Sequence, residues 1–386
     1  MPLKLPFLWG AATSAHQVEG GNTASDWHDW ELDPGSGCAE PSGAACEHLT
    51  RYPQDIALLA QLGLNCYRFS VEWARIEPRP GELSTRWLEH YRSMAACCRR
   101  HGLLPVVTLH HFTNPRWLAA DGGWENPQTA ARFARYCAAV IETVGDLAAL
   151  VVTINEPNMP ALLGYEDGVF PPGKRDRRAR LRVTEVFIDA HRRAVEVVRS
   201  LRPELPVGLA LAMADWQALP GGEERLAQTR RLREDVFLQA TAGDDFVGVN
   251  TYTRHRIGPD GWVGNEPGVE LTAAGYEFWP QAIAGTLRRA WRLTGGTPLI
   301  VTETGIATDE DERRARFIER AVEAMRDTIA AGVDVRGFIY WSALDNFEWH
   351  HGYAQRFGLI AVDRATQRRT IKPSARRLAA LARGGA

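Results

Sequence analysis

Net charge is nearly absent from this sequence: 45 Lys and Arg stand against 47 Asp and Glu, a balance of −2 over 386 residues. That excludes the global basic field that recruits nucleic acid or an anionic membrane surface. Cysteine is sparse and unpatterned. Cys38, Cys46, Cys66, Cys97, Cys98 and Cys137 form no C-x-x-C pair and keep no regular spacing with histidine. This argues against a zinc site and fits reduced thiols in a cytoplasmic protein. A chain of this length builds a core that needs neither disulfides nor metal. No apolar run approaches the ~20 residues that a membrane helix requires. The N-terminal "MPLKLPFLWGAATSA" is too broken by Pro6 and Gly10 to read as a secretory signal, and residues 7–12 read as a first strand. A phosphate-binding turn is also missing, since "WGAATSAHQVEGG" does not follow G-x-G-x-x-G. No linker, low-complexity tract or short repeat divides residues 1–386, so one domain is expected.

What the chain does have is a regular alternation. Apolar or β-rich runs occur at 7–12, 66–73, 104–111, 150–155, 207–213, 246–252, 298–304 and 337–344. Amphipathic helical patterns lie between them, such as "QDIALLAQLG" (54–63) and "DERRARFIERAVEAMRDTIAAG" (311–332), both stopped by glycine. Strand and helix in strict alternation imply right-handed crossovers and a parallel sheet. About eight such units are the number that closes a (β/α)8 barrel. The basic run "KRDRRARLR" (174–182) reads as a solvated loop and helix start. Thirteen Trp are many for one chain, and their flat faces suit cores and sugar rings alike.

Two of the apolar strands run straight into a carboxylate. "LVVTINEP" ends in Asn155 and Glu156, and "PLIVTETG" ends in Glu303 and Gly305. In a barrel, the C-terminal strand ends open onto the catalytic face, so both acids point into the mouth. Two carboxylates across a cleft are what glycoside hydrolysis needs: one holds a proton for the leaving oxygen, the other stays ionised. Either glutamate alone also reads, less strongly, as a cap of the next helix, and two matched strand ends weaken that reading. Gln17 and Glu19 follow the first strand, Arg68 lies in the second, and His110 and His111 end the third. Asn250 and Tyr252, two apart, share one face of the sixth. Trp341 ends the eighth, ahead of a loop with Glu348 and Trp349, in which His350 and His351 are expected at the rim.

The motifs "FLWGAATSAHQVEGG", "RYPQDIALLAQLGLNCYRFSVEWARIEP", "TINEP", "DFVGVNTYTR", "VTETG" and "YWSALDNFEWHHGYAQRFGL" resemble, in order, those of family 1 glycoside hydrolases, the β-glucosidase and β-galactosidase family. The resemblance runs from about residue 7 to 375. It implies a (β/α)8 barrel and a retaining exo-β-glycosidase that uses no metal or cofactor and takes a small β-glycoside or oligosaccharide. By position, Glu156 would be the acid/base and Glu303 the nucleophile. Gln17, His111, Asn155, Glu348 and Trp349 would hold hydroxyls of the cleaved sugar, with Trp341 as the stacking floor. Arg68, Asn250, Tyr252 and Phe357 would support them. Three departures stand out. Phe112 takes the place of a tryptophan, Thr304 that of an asparagine, and the chain is short, with missing residues expected about Ala214 to Asp245. That shortening would leave the leaving-group side open.

Two alternatives share these motifs. A transglycosidase would pass the same covalent intermediate to an alcohol. A non-catalytic sugar-binding barrel would have lost a glutamate, and both are present.

Overall fold

The apolar runs form eight parallel strands: β1 (Leu8–Ala12), β2 (Cys66–Ser70), β3 (Leu104–Thr108), β4 (Leu150–Asn155), β5 (Val207–Ala212), β6 (Phe246–Asn250), β7 (Leu299–Glu303) and β8 (Val335–Trp341). Each pairs with its neighbours in chain order. The ring closes where β1 meets β8, in register from Leu8 opposite Gly337 to Ala12 opposite Trp341. The computed structural model describes residues 3–385. Strands β2, β3 and β8 end earlier than the sequence pattern suggests. The residues that follow them stay buried, but their backbone already turns over the barrel mouth.

The helices packed around the ring are α1 (His48–Gln61), α2 (Thr85–Arg100), α3 (Thr129–Val144), α4 (Arg177–Leu201), α5 (residues 223–240), α6 (Ala282–Leu293), α7 (Asp311–Ala330) and α8 (Pro373–Arg383). Their ends follow local chemistry. The Asp176 carboxylate accepts the Arg178 N–H at 2.8 Å to cap α4, and Pro373 opens α8 where no N–H is needed. The basic run leading into α4 is neutralised in part, with Lys174 and Arg182 both on Glu125 and Arg180 on Glu166. No helix among the described residues is long and apolar enough to cross a membrane.

Alternation along each strand gives two cores. One face packs against the helices, through side chains such as Ile56, Met94, Phe133, Phe187 and Phe317. The other fills the barrel, with Leu8, Val106, Leu150, Val152, Phe246, Ile300 and Ile339 all buried. Emptying one large position in either core costs ~3–5 kcal/mol. The barrel is thus a solid pedestal, and only its C-terminal end is open to a ligand.

Residues 214–245, where missing residues and an open leaving-group side were expected, form ordered structure. Asp215–Ala218 forms a strand that pairs in parallel with Arg254–Gly258, which pairs in turn with Gly261–Trp262. This small sheet stands beyond the C-terminal ends of β5 and β6. Helix α5 follows it and contains a wider π turn at Arg231–Asp235.

Candidate active site

Glu303 is the last residue of β7 and is buried. Its Oε1 accepts Arg68 Nη1 from β2 at 2.6 Å, and its Oε2 accepts the Tyr252 hydroxyl at 2.8 Å. Glu156 follows β4 directly. Its φ of 47° is rare for a residue with a side chain, and it ends the strand abruptly. Its N–H donates to the Ala210 carbonyl at 2.7 Å, tying the turn to β5, and a short helix begins at Asn158. Asn250 Nδ2 donates to Glu156 Oε1 at 2.8 Å, while the Thr302 hydroxyl donates to Asn250 Oδ1 at 2.6 Å and fixes which way that amide faces. Asn155 Oδ1 accepts both Arg68 Nη2 at 2.5 Å and Asn250 Nδ2 at 3.1 Å. The two carboxylates are therefore held by one hydrogen-bonded lattice that spans strands β2, β4, β6 and β7.

Their surroundings differ in kind. Burial pushes the Glu156 carboxyl up to about 8, and the negative charge of Glu303 adds to that; only Asn250 and the more distant Arg68 oppose it. Burial also raises Glu303, but Arg68, Tyr252 and Asn250 all favour its ionised form. The first proton lost belongs to Glu303, and Glu156 keeps its own near neutral pH.

Around this pair lies a cavity that, open solvent included, spans about 710 Å³. His111, Tyr252, Trp341, Glu348, Trp349 and Phe357 line it, as the sequence suggests. The Trp341 and His111 rings stack at 5.6 Å, and Trp341 Nε1 donates to Glu348 Oε1 at 3.3 Å. Burial raises the Glu348 carboxyl well above the usual range. Burial and the Arg68 charge hold His111 well below 6.5, so it is a neutral ring. Its neighbour His110 faces away and contacts Asn114 at 3.0 Å.

Gln17 and Asn155 stand behind the wall, both fully buried. Gln17 Nε2 donates to the Phe347 carbonyl at 2.7 Å and to Glu348 Oε2 at 3.3 Å, so it positions the loop that carries Glu348. Glu19 does not join the mouth; it pairs with Arg75 at 2.9 Å and accepts from Tyr91. Phe112 packs its ring 5.1 Å from Trp349, within a cluster that includes Trp27 and Phe170. Thr304 is buried and its carbonyl accepts the Trp341 N–H at 2.9 Å, a backbone link any residue could make. His350 is half-buried and His351 exposed at the outer edge of the cavity, where the rim was expected, with ring centroids 3.8 Å apart; burial lowers both, His350 to about 4.

The sequence reading missed Met159, Leu163, Phe170, Tyr276 and Gln355, which also form the wall. Met159 and Leu163 had a signal: they are one helical turn apart just after the "NEP" turn. Tyr276 comes from an irregular loop with no periodicity to mark it. Among the described residues, no group of three His, Cys, Asp or Glu is placed to hold a metal ion.

A closed parallel barrel with two unlike buried glutamates at its C-terminal mouth defines a glycoside hydrolase. The model of glycosyl hydrolase family 1 matches residues 2–255 and 233–384, and the chain belongs to that family. Beta-glucosidase A of Thermotoga maritima is 31% identical over 424 residues, covering 95% of each chain. That alignment is longer than the 386 residues here, so this chain lacks segments that the relative has. The crystal structure of beta-glycosidase BGL167 superposes with a TM-score of 0.93 at 46% identity, covering 100% of this chain and 97% of that one. The Thermotoga maritima beta-glucosidase in complex with cyclophellitol gives 0.92 at 29% identity over 99% of both chains.

Proposed function

We propose that the whole chain forms one catalytic unit, a retaining exo-β-glycosidase acting on β-D-glucosides and on the related galactosides and fucosides. The observation that carries this reading is the contrast between the two glutamates. Glu156, kept protonated by burial and by its neighbour's charge, gives its proton to the leaving glycosidic oxygen. Glu303, held ionised by Arg68 and Tyr252, attacks the anomeric carbon and forms a covalent glycosyl-enzyme. Glu156, now ionised, takes a proton from water, which displaces Glu303 and restores both groups. Both steps are complete without a metal or cofactor. Trp341 offers a flat face under the ring, while Glu348 and His111 offer hydroxyl partners. The relatives that carry the name beta-glucosidase support glucosides as the first substrate class.

The sugar should be neutral. Glu156, Glu303 and Glu348 line the cavity, and the histidines at its wall are uncharged at neutral pH. A 6-phosphate carries roughly −1.5 to −2 charge at pH 7 and would meet no free cation there. Glu348 has lone pairs for axial or equatorial hydroxyls, so gluco and galacto sugars should differ by less than about two orders of magnitude in kcat/KM, under ~3 kcal/mol. The test compares nitrophenyl β-glucoside, β-galactoside and 6-phospho-β-glucoside side by side. The reading is lost if the phosphorylated sugar is the best of the three.

A further inference from the structure

The catalytic cavity does not end at Glu156. A second cavity of about 810 Å³ opens beside it, with Glu156, Met159, Leu162, Trp216 and Arg233 on its walls. A third of about 1250 Å³ continues outward past Met159, Leu162, Trp216 and Arg233 to Trp262. The shared walls make one groove, leading from the group that protonates the leaving oxygen to the surface. Whatever leaves the sugar lies in this groove.

Its chemistry is unlike that of the sugar pocket. Next to Glu156 the walls combine the apolar Met159 and Leu162 with the polar Asn158, Asn250 and Tyr252. Farther out come three rings in a row: Trp216 lies 4.8 Å from His255, which lies 6.2 Å from Trp262. Trp262 is 66% exposed, a large indole left uncovered at the outer end. Arg233 is held over the Trp216 ring, its guanidinium 5.7 Å from the centroid. It sits in the π turn of α5, a widened turn of a kind that often marks functional sites, and the acids beside it are taken: Glu234 and Asp235 both pair with Arg289. No carboxylate among the described residues forms an ion pair with Arg233; Asp167 lines the same groove but only at longer range. Arg180 is neutralised by Glu166, while Arg177 and Arg225 add further positive charge to the walls.

Resting on the assignment of Glu156 as the proton donor, we infer that this groove selects an aryl aglycone bearing an anionic group. The aromatic ring lies between the apolar walls and the row of rings, and a carboxylate or equivalent anion meets the free guanidinium of Arg233. The substrate class is thus an acidic aryl β-glycoside rather than a neutral oligosaccharide. A planar guanidinium binds a carboxylate through two parallel N–H donors, which gives the contact direction as well as charge.

The test uses 4-carboxyphenyl β-glucoside and the neutral 4-carbamoylphenyl β-glucoside of similar shape, with cellobiose as the sugar aglycone and nitrophenyl β-glucoside as reference. The unaltered enzyme should favour the carboxylate by about tenfold in kcat/KM, mainly through KM, and the preference should shrink as salt is raised to ~0.5 M. Arg233→Gln should bring the ratio to about one, whereas Arg233→Lys should keep part of it. Trp262→Ala, an exposed position, should weaken both aryl substrates alike. Equal kcat/KM for the two aryl glucosides, or a preference for cellobiose over both, overturns the inference whatever the variants do. If nitrophenyl β-glucoside itself is not hydrolysed, the glycosidase reading fails, which is a separate result.

Discussion

Glu156 and Glu303 differ less in what they are than in what touches them. Both are buried glutamates at strand ends, and Arg68 and Tyr252 separate their roles by bonding to only one. Glu303→Ala should lower turnover by ~10⁴-fold or more on every substrate, with azide restoring part of it as an inverted glycosyl azide. Glu156→Ala should still release dinitrophenol from an activated glycoside in a burst, because that leaving group needs no proton. Equal losses with no burst and no azide effect would mean the roles are misassigned. The pH profile follows from the same contacts. The proposed mechanism requires Glu303 ionised and Glu156 protonated. Activity therefore rises as pH climbs through the Glu303 value and falls above the Glu156 value of about 8. Tyr252→Phe removes one donor that favours ionised Glu303, so the acidic limb should move to higher pH, with ~10–100-fold lower kcat. An unmoved limb would place the control elsewhere.

Strands and helices carried the legible part of the fold. Runs such as "LPVVT" and "LIVTE" mark buried strands because no alternative environment suits them, and a carboxylate at the end of such a run has few places to point. The strand Asp215–Ala218 and its partner Arg254–Gly258 were not legible. "DWQA" and "RHRIG" are short and polar, and they form strands only because the barrel mouth holds them side by side. That is why the sheet and π turn within residues 214–245 leave no pattern in the sequence, and Arg233 carries no signal there. The junction of β7 and β8 offers a test of the packing itself. A Cβ placed on Gly305 would stand 1.9 Å from the carbonyl oxygen of Trp341 and meet backbone, not a yielding side chain. Gly305→Ala should displace Trp341, raise KM for all glycosides and destabilise the protein by ~2 kcal/mol or more. A variant with unchanged Tm and KM would show that the strand ends are looser than described.

The whole molecule is a rigid ring with its chemistry confined to one end. Eight strands each contribute at most a residue or two to the mouth, and the remainder of each strand is core. Backbone strain gathers there too. Phe112, Glu156 and Trp349 all have positive φ, at 72°, 47° and 55°, and all three line the cavity. Such conformations persist only where the surroundings over-determine them, as they do at these strand ends; Ala45, Glu47 and Gln367 share the conformation elsewhere. In the proposed mechanism Glu303 attacks the sugar directly, and water then enters from the face that the leaving group has vacated. The direct measurement is proton NMR of the first sugar formed from a nitrophenyl β-glucoside, recorded before the anomers equilibrate. The β-anomer is expected as the initial product. An α-anomer would mean that water attacks in a single step from the opposite face, and the assignment of Glu303 as nucleophile would be wrong.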